Sequence, residues 1–341
     1  MRFEKYPSIE NTYRQKAIAY VYETGNSGGE WVVSEKIHGA NFNVTYDGTE
    51  FRMAKKTALI ADDDTFYGAQ SIKDQLKAQI RMIMLKLQSD SILPISYVKI
   101  CGEIYGGTYP HPDVPKSKEA MKVQSGIWYR PDTGFYAFDM MANDNFIDDD
   151  TAQSLFREFG VFNAEPLFRG TFGECLEYTN EFNTTIPDRL GLPRIDNNIC
   201  EGVVIKPVQP RIFPCGSRVI FKNKNDKHSE KKNGNIPKEK MAEVKFSEKG
   251  QVLYTELCSL ITENRLRNVI SHIGNGTLTD KDFGKLMGLF VKDAIEEFRK
   301  DFAEELDAID KDEQKRMNKR VGQLAAELIR PNFLDIIDNN F

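Results

Sequence analysis

The sequence predicts an α+β protein, with a domain rich in antiparallel strands followed by a small all-helical domain. Three observations predict it. Short runs rich in Val, Ile, Phe and Tyr, broken by turn residues, fill the first two-thirds of the chain. Apolar residues at helical spacing fill the last third. Between them lies SEKKNGNIPKEK, a polar stretch with Gly and Pro that reads as a linker. We place the first domain at 1–232, the linker at 233–242 and the helical domain at 243–341. A chain of 341 residues accommodates both.

Taken in order, strands are expected at Trp31–Ser34 running on through Lys36, and at Asn41–Tyr46 and Phe51–Ala54. Asp47-Gly48 between the last two is a hairpin signal, because a tight turn there needs positive φ. Further strands are expected at Ser96–Glu103, Phe135–Met140, Gly202–Lys206 and Arg218–Lys222, with helices over Ser71–Gln88 and Thr151–Phe159. In the tail, Val252, Leu253, Leu257, Leu260 and Ile261 recur at helical spacing. Leu286, Leu289, Phe290, Ala294 and Ile295 do the same, and Phe298, Phe302, Leu306, Leu324 and Leu328 continue the pattern.

Composition narrows the function classes. Hydrophobic residues make 40% and charged ones 28%, and no stretch approaches the ~18 apolar residues of a membrane span. The start, MRFEKYPSIENTYRQK, has no apolar signal core, so export is not expected. Cys101, Cys175, Cys200, Cys215 and Cys258 are scattered and never form CxxC. Neither a disulfide framework nor a zinc ribbon is expected, and the compartment reads as reducing and cytoplasmic. Any metal would be held by carboxylates, which points to Mg²⁺. A net charge of −5 excludes a uniformly cationic surface, so nucleic acid would need a local patch. Lys222, Lys224, Lys227, Lys231, Lys232, Lys238 and Lys240 offer one. The later members read equally well as a solvated loop.

The chemistry-bearing residues sit at strand ends. In WVVSEKIHGANFNV, Lys36 closes an apolar strand, and period two puts Lys36 and His38 on one face. A charged amine on a buried strand is costly unless it has a purpose or a partner. Taken alone, it reads as well as a lysine snorkelling from an edge strand. Gly102-Glu103, FYAFD at Phe135–Asp139, EGVVIK at Glu201–Lys206, and Lys222 with Lys224 in VIFKNKN add further charged strand ends. Five of them suggest strands converging on a polar cleft. A lysine nucleophile must shed its proton, at about 4 kcal/mol near neutral pH. Neighbouring cations lower that cost, and Lys206, Lys222 and Lys224 would supply the field. The same cations, with Mg²⁺, suit a triphosphate and a departing pyrophosphate.

In order and spacing, K-x-H-G, the G-E strand, the F-x-F-D-like strand, E-G-x-V-x-K and the final K-x-K resemble the covalent nucleotidyltransferases. That superfamily holds RNA ligases, DNA ligases and capping enzymes. Within it the chain is most similar to the RNA ligase 2 family typified by the phage T4 enzyme. The likeness lies in Phe3, Lys5-Tyr6, Ser8-Ile9-Glu10-Asn11, GGEWV at 28–32, EKIHGANF at 35–42 and the helical NRLRNVISHIG…KDFGKLMGL, and it runs over nearly the whole chain. It implies a nucleotidyltransferase domain of the DNA-ligase type, related to the ATP-grasp architecture. It implies ATP as AMP donor and Mg²⁺, with Mn²⁺ able to substitute. The implied substrate is RNA, as a nick in a duplex, bound by a monomer with no obligate protein partner and no membrane. A phage-encoded chain would act in the cytoplasm of the host.

The resemblance also implies roles. Lys36 would carry AMP. Glu35 and the Ile37 backbone would face the adenine, Phe138 would stack on it, and Lys206 would line the same pocket. Glu103 would hold a ribose hydroxyl. His38 and Asn41 would orient the phosphates, Glu201 would sit near the metal, and Lys222 and Lys224 would contact the AMP phosphate. The family's A-K-R-T pattern has Lys56 here in place of arginine, and lysine cannot give a bidentate fork. In the tail, Arg265, Asp293 and Glu297 would engage the RNA end. On pattern alone, Asp293 and Glu297 at i,i+4 read as a solvated acidic face. His111 and His272 read as loop and helix-surface residues, and Trp128 and Tyr129 as packing residues that offer a base-stacking alternative. Cys101 and Cys200 read as small packing residues. Two rivals remain. One is a DNA ligase or capping enzyme, which would carry an OB-type barrel where this chain reads as helices. The other is a non-catalytic RNA-binding protein that keeps the nucleotide pocket.

Overall fold

The computed structural model describes residues 3–213, 216–229, 231, 246–274, 278–338 and 341. The expected linker 233–242, Cys215, Lys232, Lys238 and Lys240 lie outside them. The chain divides into two compact units, Met1–Asn225 and Asp226–Phe341.

The first unit carries two five-stranded sheets. One sheet orders β1 (Glu10–Asn11), β10 (Phe221–Lys224), β9 (Gly202–Pro207), β2 (Trp31–Lys36) and β8 (Pro166–Gly170). The other orders β4 (Phe51–Lys55), β3 (Ala40–Tyr46), β5 (Val98–Thr108), β6 (Arg130–Ala142) and β7 (Asn145–Phe146). Every pairing between these strands is antiparallel except β1 with β10.

Each sheet has its own core. Trp31, Val33, Val203, Ile205 and Phe221 of the first pack with helices α1 (Gln15–Glu23) and α4 (Phe172–Leu176). Phe42, Val44, Ile100 and Phe135 of the second pack with helices α2 (Lys73–Asp90) and α3 (Asp149–Glu158). A third cluster gathers Ile37, Tyr105, Tyr129, Tyr136 and Ile186, the last from the short α5 (Ile186–Arg189).

One crossing positions the site. β2 ends at Lys36 in the first sheet and β3 begins at Ala40 in the second, so three residues carry the chain between sheets. Gly39 permits it. A Cβ there would lie 2.5 Å from the Ile104 carbonyl oxygen, and no side chain fits.

Some elements differ from expectation for physical reasons. The last strand spans Phe221–Lys224 rather than starting at Arg218, because the backbone there pairs elsewhere: Arg218 bridges Ile212, and the Val219 amide donates to the Arg211 carbonyl at 2.9 Å. α3 starts two residues early, since the Asp148 carboxylate caps it by accepting from the Thr151 amide at 3.0 Å. β1 and β8 were not anticipated: one is two residues long, and the other is bounded by Pro166 and Gly170.

The second unit is helical: α6 (Glu248–Ser259), α7 (Glu263–Ile273), α8 (Phe283–Ala308), α9 (Lys311–Ile329) and α10 (Phe333–Ile337). Ser247 and Thr262 cap α6 and α7 through their hydroxyls. The apolar stripes close two cores, one around Leu257, Phe298 and Val321 and one around Leu266, Phe290 and Ile329. The lysine-bearing segment that begins this unit is fastened to α7, where the Asn264 amide donates to the carbonyls of Lys227 and Ser229. Among the described residues no helix is long and apolar enough to cross a membrane.

Candidate active site

The site begins as a row across the first sheet. In register, Lys36 of β2 and Lys224 of β10 both face Gly202 of β9 from neighbouring strands. Gly202 has φ +145°, and a Cβ on it would lie 2.1 Å from the Asn223 carbonyl oxygen, so the middle of the row must be bare. Glu201, one residue earlier, fills the space with a carboxylate. Its Oε2 lies 2.8 Å from Lys36 Nζ and its Oε1 2.7 Å from Lys224 Nζ. His38 Nδ1 stands 3.8 Å from Oε2. Glu201 is only 2% exposed. Burial disfavours its charge, but Lys224, Lys36 and His38 outweigh that and hold its carboxyl far below the usual carboxylate range. Two rows further, Lys222 pairs with Val204 of β9 and Asn11 of β1, on the same face as Lys224.

The second sheet supplies the facing groups. Glu103 of β5 lies in register with Asn41 of β3. Its Oε2 is shielded from solvent with no hydrogen-bond partner among the described residues. Burial pushes the Glu103 carboxyl up to about 7, with Lys36, Lys56 and Lys224 pulling down and Glu201 pushing up. Five charged groups therefore act on one another here. The Asn41 amide oxygen accepts from the Asn43 side chain at 3.0 Å. Lys36, Ile37, Asn41, Glu103, Phe138 and Lys206 line one cavity, and Tyr6 and Ile9 of the first strand's approach close part of its wall.

Behind the cavity lies a buried ionic network. Lys206 Nζ donates to the Phe138 carbonyl at 2.8 Å and lies 3.0 Å from Asp139 and 2.9 Å from Asp149. Asp139 also receives the Arg218 guanidinium and the Tyr6 hydroxyl. Tyr6 meets Phe138 edge-on at 5.0 Å. Burial opposes ionisation throughout, yet Arg218 and Lys206 keep Asp139 below its ordinary range.

Three expectations change in this geometry. Lys206 lines the cavity as expected, but its charge is taken by two carboxylates and does not serve as a free cation beside Lys36. Lys36 is not surrounded by cations alone, because Glu201 stands between it and Lys224. The amine must leave that carboxylate before it can attack anything. Glu35 lines the cavity too, but its carboxylate accepts from the Thr184 hydroxyl and, at 2.8 and 2.7 Å, from the Thr185 amide and hydroxyl. Tyr6, Thr184, Thr185 and Asp149 were missed as contributors. Asp149 lies far in sequence from Lys206, and Tyr6 appeared only within the family likeness. Burial pushes the thiols of Cys101 and Cys200 up to about 12, in keeping with packing roles.

Among the described residues no three His, Cys, Asp or Glu side chains gather as a metal cage. Mg²⁺ does not need one, since it keeps several waters and takes one or two carboxylates together with substrate phosphates. Glu201, with the unpartnered Glu103 Oε2 in the same electrostatic cluster, fits that demand.

In the helical unit, Arg265 is buried and its Nη1 lies 2.7 Å from Asp293 Oδ2, joining α7 to α8. Glu297 lies 2.9 Å from Lys300. All three residues expected at an RNA end thus have contacts within their own unit.

Two family models match this chain. Residues 29–224 match the family model described as RNA ligase, and residues 243–327 match the one described as T4 RNA ligase 2 C-terminal. RNA-editing ligase 2, mitochondrial, of Trypanosoma brucei brucei is 28% identical over 88% of this chain and 83% of its own length. RNA-editing ligase 1, mitochondrial, of the same organism is 27% identical over 86% and 74%. A solved RNA ligase of Naegleria gruberi superimposes with a TM-score of 0.45 at 16% identity, over 66% of this chain and 57% of that one.

Proposed function

The chain belongs to the RNA ligase family, and on that premise we propose that it is an ATP-dependent RNA ligase that captures AMP on Lys36. The observation that carries the reading is the Glu201 carboxylate bridging Lys36 and Lys224 beside a cavity lined by Phe138 and Glu103.

In the first step the Lys36 amine, freed of Glu201 and of its proton, attacks the α-phosphorus of ATP. An N–P bond forms, the bond to the bridging oxygen breaks, and pyrophosphate leaves. Lys222 and Lys224 offset the phosphate charge, and Glu103 accepts from a ribose hydroxyl. In the second step an oxygen of the RNA 5′-phosphate attacks the same phosphorus. The N–P bond breaks, Lys36 regains its proton, and an anhydride activates the RNA end. In the third step a 3′-hydroxyl attacks the 5′-phosphate, loses its proton and displaces AMP. A divalent cation held by Glu201 would spread phosphate charge when bound.

The substrate in this reading is a nick in an RNA duplex, sensed through the 2′-hydroxyl and A-form shape on the 3′ side. In this reading the protein acts as a monomer in the cytoplasm; the free thiols of Cys101, Cys175, Cys200 and Cys258 accord with a reducing compartment. The helical family match at 243–327 favours an RNA ligase over a DNA ligase or capping enzyme.

The test is intact-protein mass after mixing with ATP and Mg²⁺. The wild type gains one AMP, a chelator prevents the gain, and Lys36→Ala shows none. A wild type that takes label from GTP and not from ATP, or a Lys36→Ala variant that seals nicks normally, defeats the proposal.

A further inference from the structure

We infer that Tyr129 and Tyr136 are positioning residues that fix the backbone on both sides of Lys36, an inference that rests on Lys36 being the AMP acceptor. The Tyr136 hydroxyl donates to the Glu35 carbonyl at 3.1 Å. The Tyr129 hydroxyl oxygen accepts from the His38 amide at 2.8 Å. One bond falls just before the nucleophile and the other two residues after it. Between them, Ile37 is 1% exposed and packs in the same cluster as both tyrosine rings. Positions 35, 37 and 38 are therefore anchored, and Lys36 between them directs its side chain to Glu201.

Sheet bonding supplies this anchoring on one side only. The β9 ladder runs to Lys36, but the β8 ladder stops at Ser34 and the stretch 37–39 belongs to neither sheet. Buried backbone groups need partners, and at these two positions the partners are phenols reaching across from the second sheet and its approach. Both rings are rigidly set. Each is 2% exposed, Tyr129 meets Tyr105 edge-on at 5.7 Å, and Tyr136 lies 5.9 Å from Phe162. Burial pushes both phenols well above their ordinary value, so neither ionises near neutral pH.

A side chain as long as lysine can be aimed only if its Cα is held. In-line attack requires reacting atoms about 3–3.5 Å apart, and a displacement of about 1 Å can cost a hundredfold in rate. The two hydroxyls act on that Cα through the chain on either side and need not touch the nucleotide.

The test uses the full chain with Tyr129→Phe and Tyr136→Phe, which keep each ring and remove only the hydroxyl. AMP capture from labelled ATP with Mg²⁺ is followed in single turnovers across ATP concentration. Each variant is expected to lose about tenfold to a hundredfold in maximal rate, while half-saturating ATP stays within about twofold of wild type. Thermal unfolding is run alongside, rates are compared where each variant is folded, and if one does not fold the other carries the test. Wild-type maximal rates in the folded variants overturn the inference. So does a loss that appears wholly as weaker ATP saturation. A wild-type protein that captures no AMP overturns the Lys36 assignment itself, a different result from capture that is indifferent to the tyrosines.

Discussion

Lys36 and Lys224 stand on either side of Gly202 in one row of the first sheet, and a single carboxylate, that of Glu201, bridges them. The bridge keeps two like charges together on the two strands that flank β9 and, in the proposed reaction, holds the Lys36 amine in reserve. Nucleotide phosphate and metal, by drawing on Lys224 and Glu201, would release the Lys36 amine at the place where it is needed.

Glu201→Gln breaks this arrangement and leaves two ammonium groups without their shared counter-ion. Removing one partner of a buried pair costs about 3–5 kcal/mol. Urea unfolding is expected to show a loss of that order, and AMP capture is expected to disappear. Adding Lys224→Met should recover most of the stability and none of the capture. A Glu201→Gln variant with normal stability would mean that the bridge contributes nothing to the fold.

Gly202→Ala tests the bare row. The added Cβ would meet the Asn223 carbonyl, and the backbone conformation disfavours any side chain. Strain of this kind costs about 1–3 kcal/mol. We expect β10 to shift, with a lower melting temperature and weaker AMP capture. An unchanged melting temperature would show that the strand gives way without cost.

Glu103 makes stability depend on pH. Its folded value, about 7, lies above the ordinary 4.5. Between those values the folded state keeps a proton that the unfolded chain has released, so stability falls as pH rises through the window. Glu103→Gln removes this contribution. Urea midpoints at about pH 5 and about pH 8 should therefore converge for wild type minus variant at the acid end and favour the variant at the basic end. Half-saturating ATP for the wild type should also fall as pH rises through about 7, where the carboxylate becomes a full acceptor for the ribose. A difference that does not vary with pH rules out titration of Glu103 in this range.

In the helical unit, Asp293→Ala removes a partner of the buried Arg265. We expect a loss of about 1–3 kcal/mol in urea unfolding, smaller for Asp293→Asn, which keeps an acceptor. Equal stability for all three proteins would return Asp293 to a role confined to RNA.

Much of this site was legible because its members lie on strands whose alternation can be counted. Lys36, Glu201, Gly202, Lys222 and Lys224 sit in apolar runs where a charge or a bare glycine stands out, and the row follows from register. Asp149 was not legible, because only the fold brings it to Lys206. The tyrosines were not legible either. Tyr129 reads as packing because its ring does pack, while its hydroxyl bonds to backbone 91 residues away in sequence. Periodicity finds what shares a face, and it cannot find a side chain whose partner is the main chain of a distant turn. The first helix, α1, was not read from the sequence either; it is nine residues long, and only Val21 on it is fully buried.

The separation of Lys36 from Glu201 by 165 residues has a consequence for biosynthesis. At translation speeds of about 5–20 residues per second, the lysine leaves the ribosome on the order of ten to thirty seconds before the carboxylate that docks against it. Through that interval the nascent chain holds Lys36 with neither Glu201 nor Lys224 beside it. In the proposed reaction, chemical competence arrives late and all at once, when β9 and β10 fill the sheet between β1 and β2.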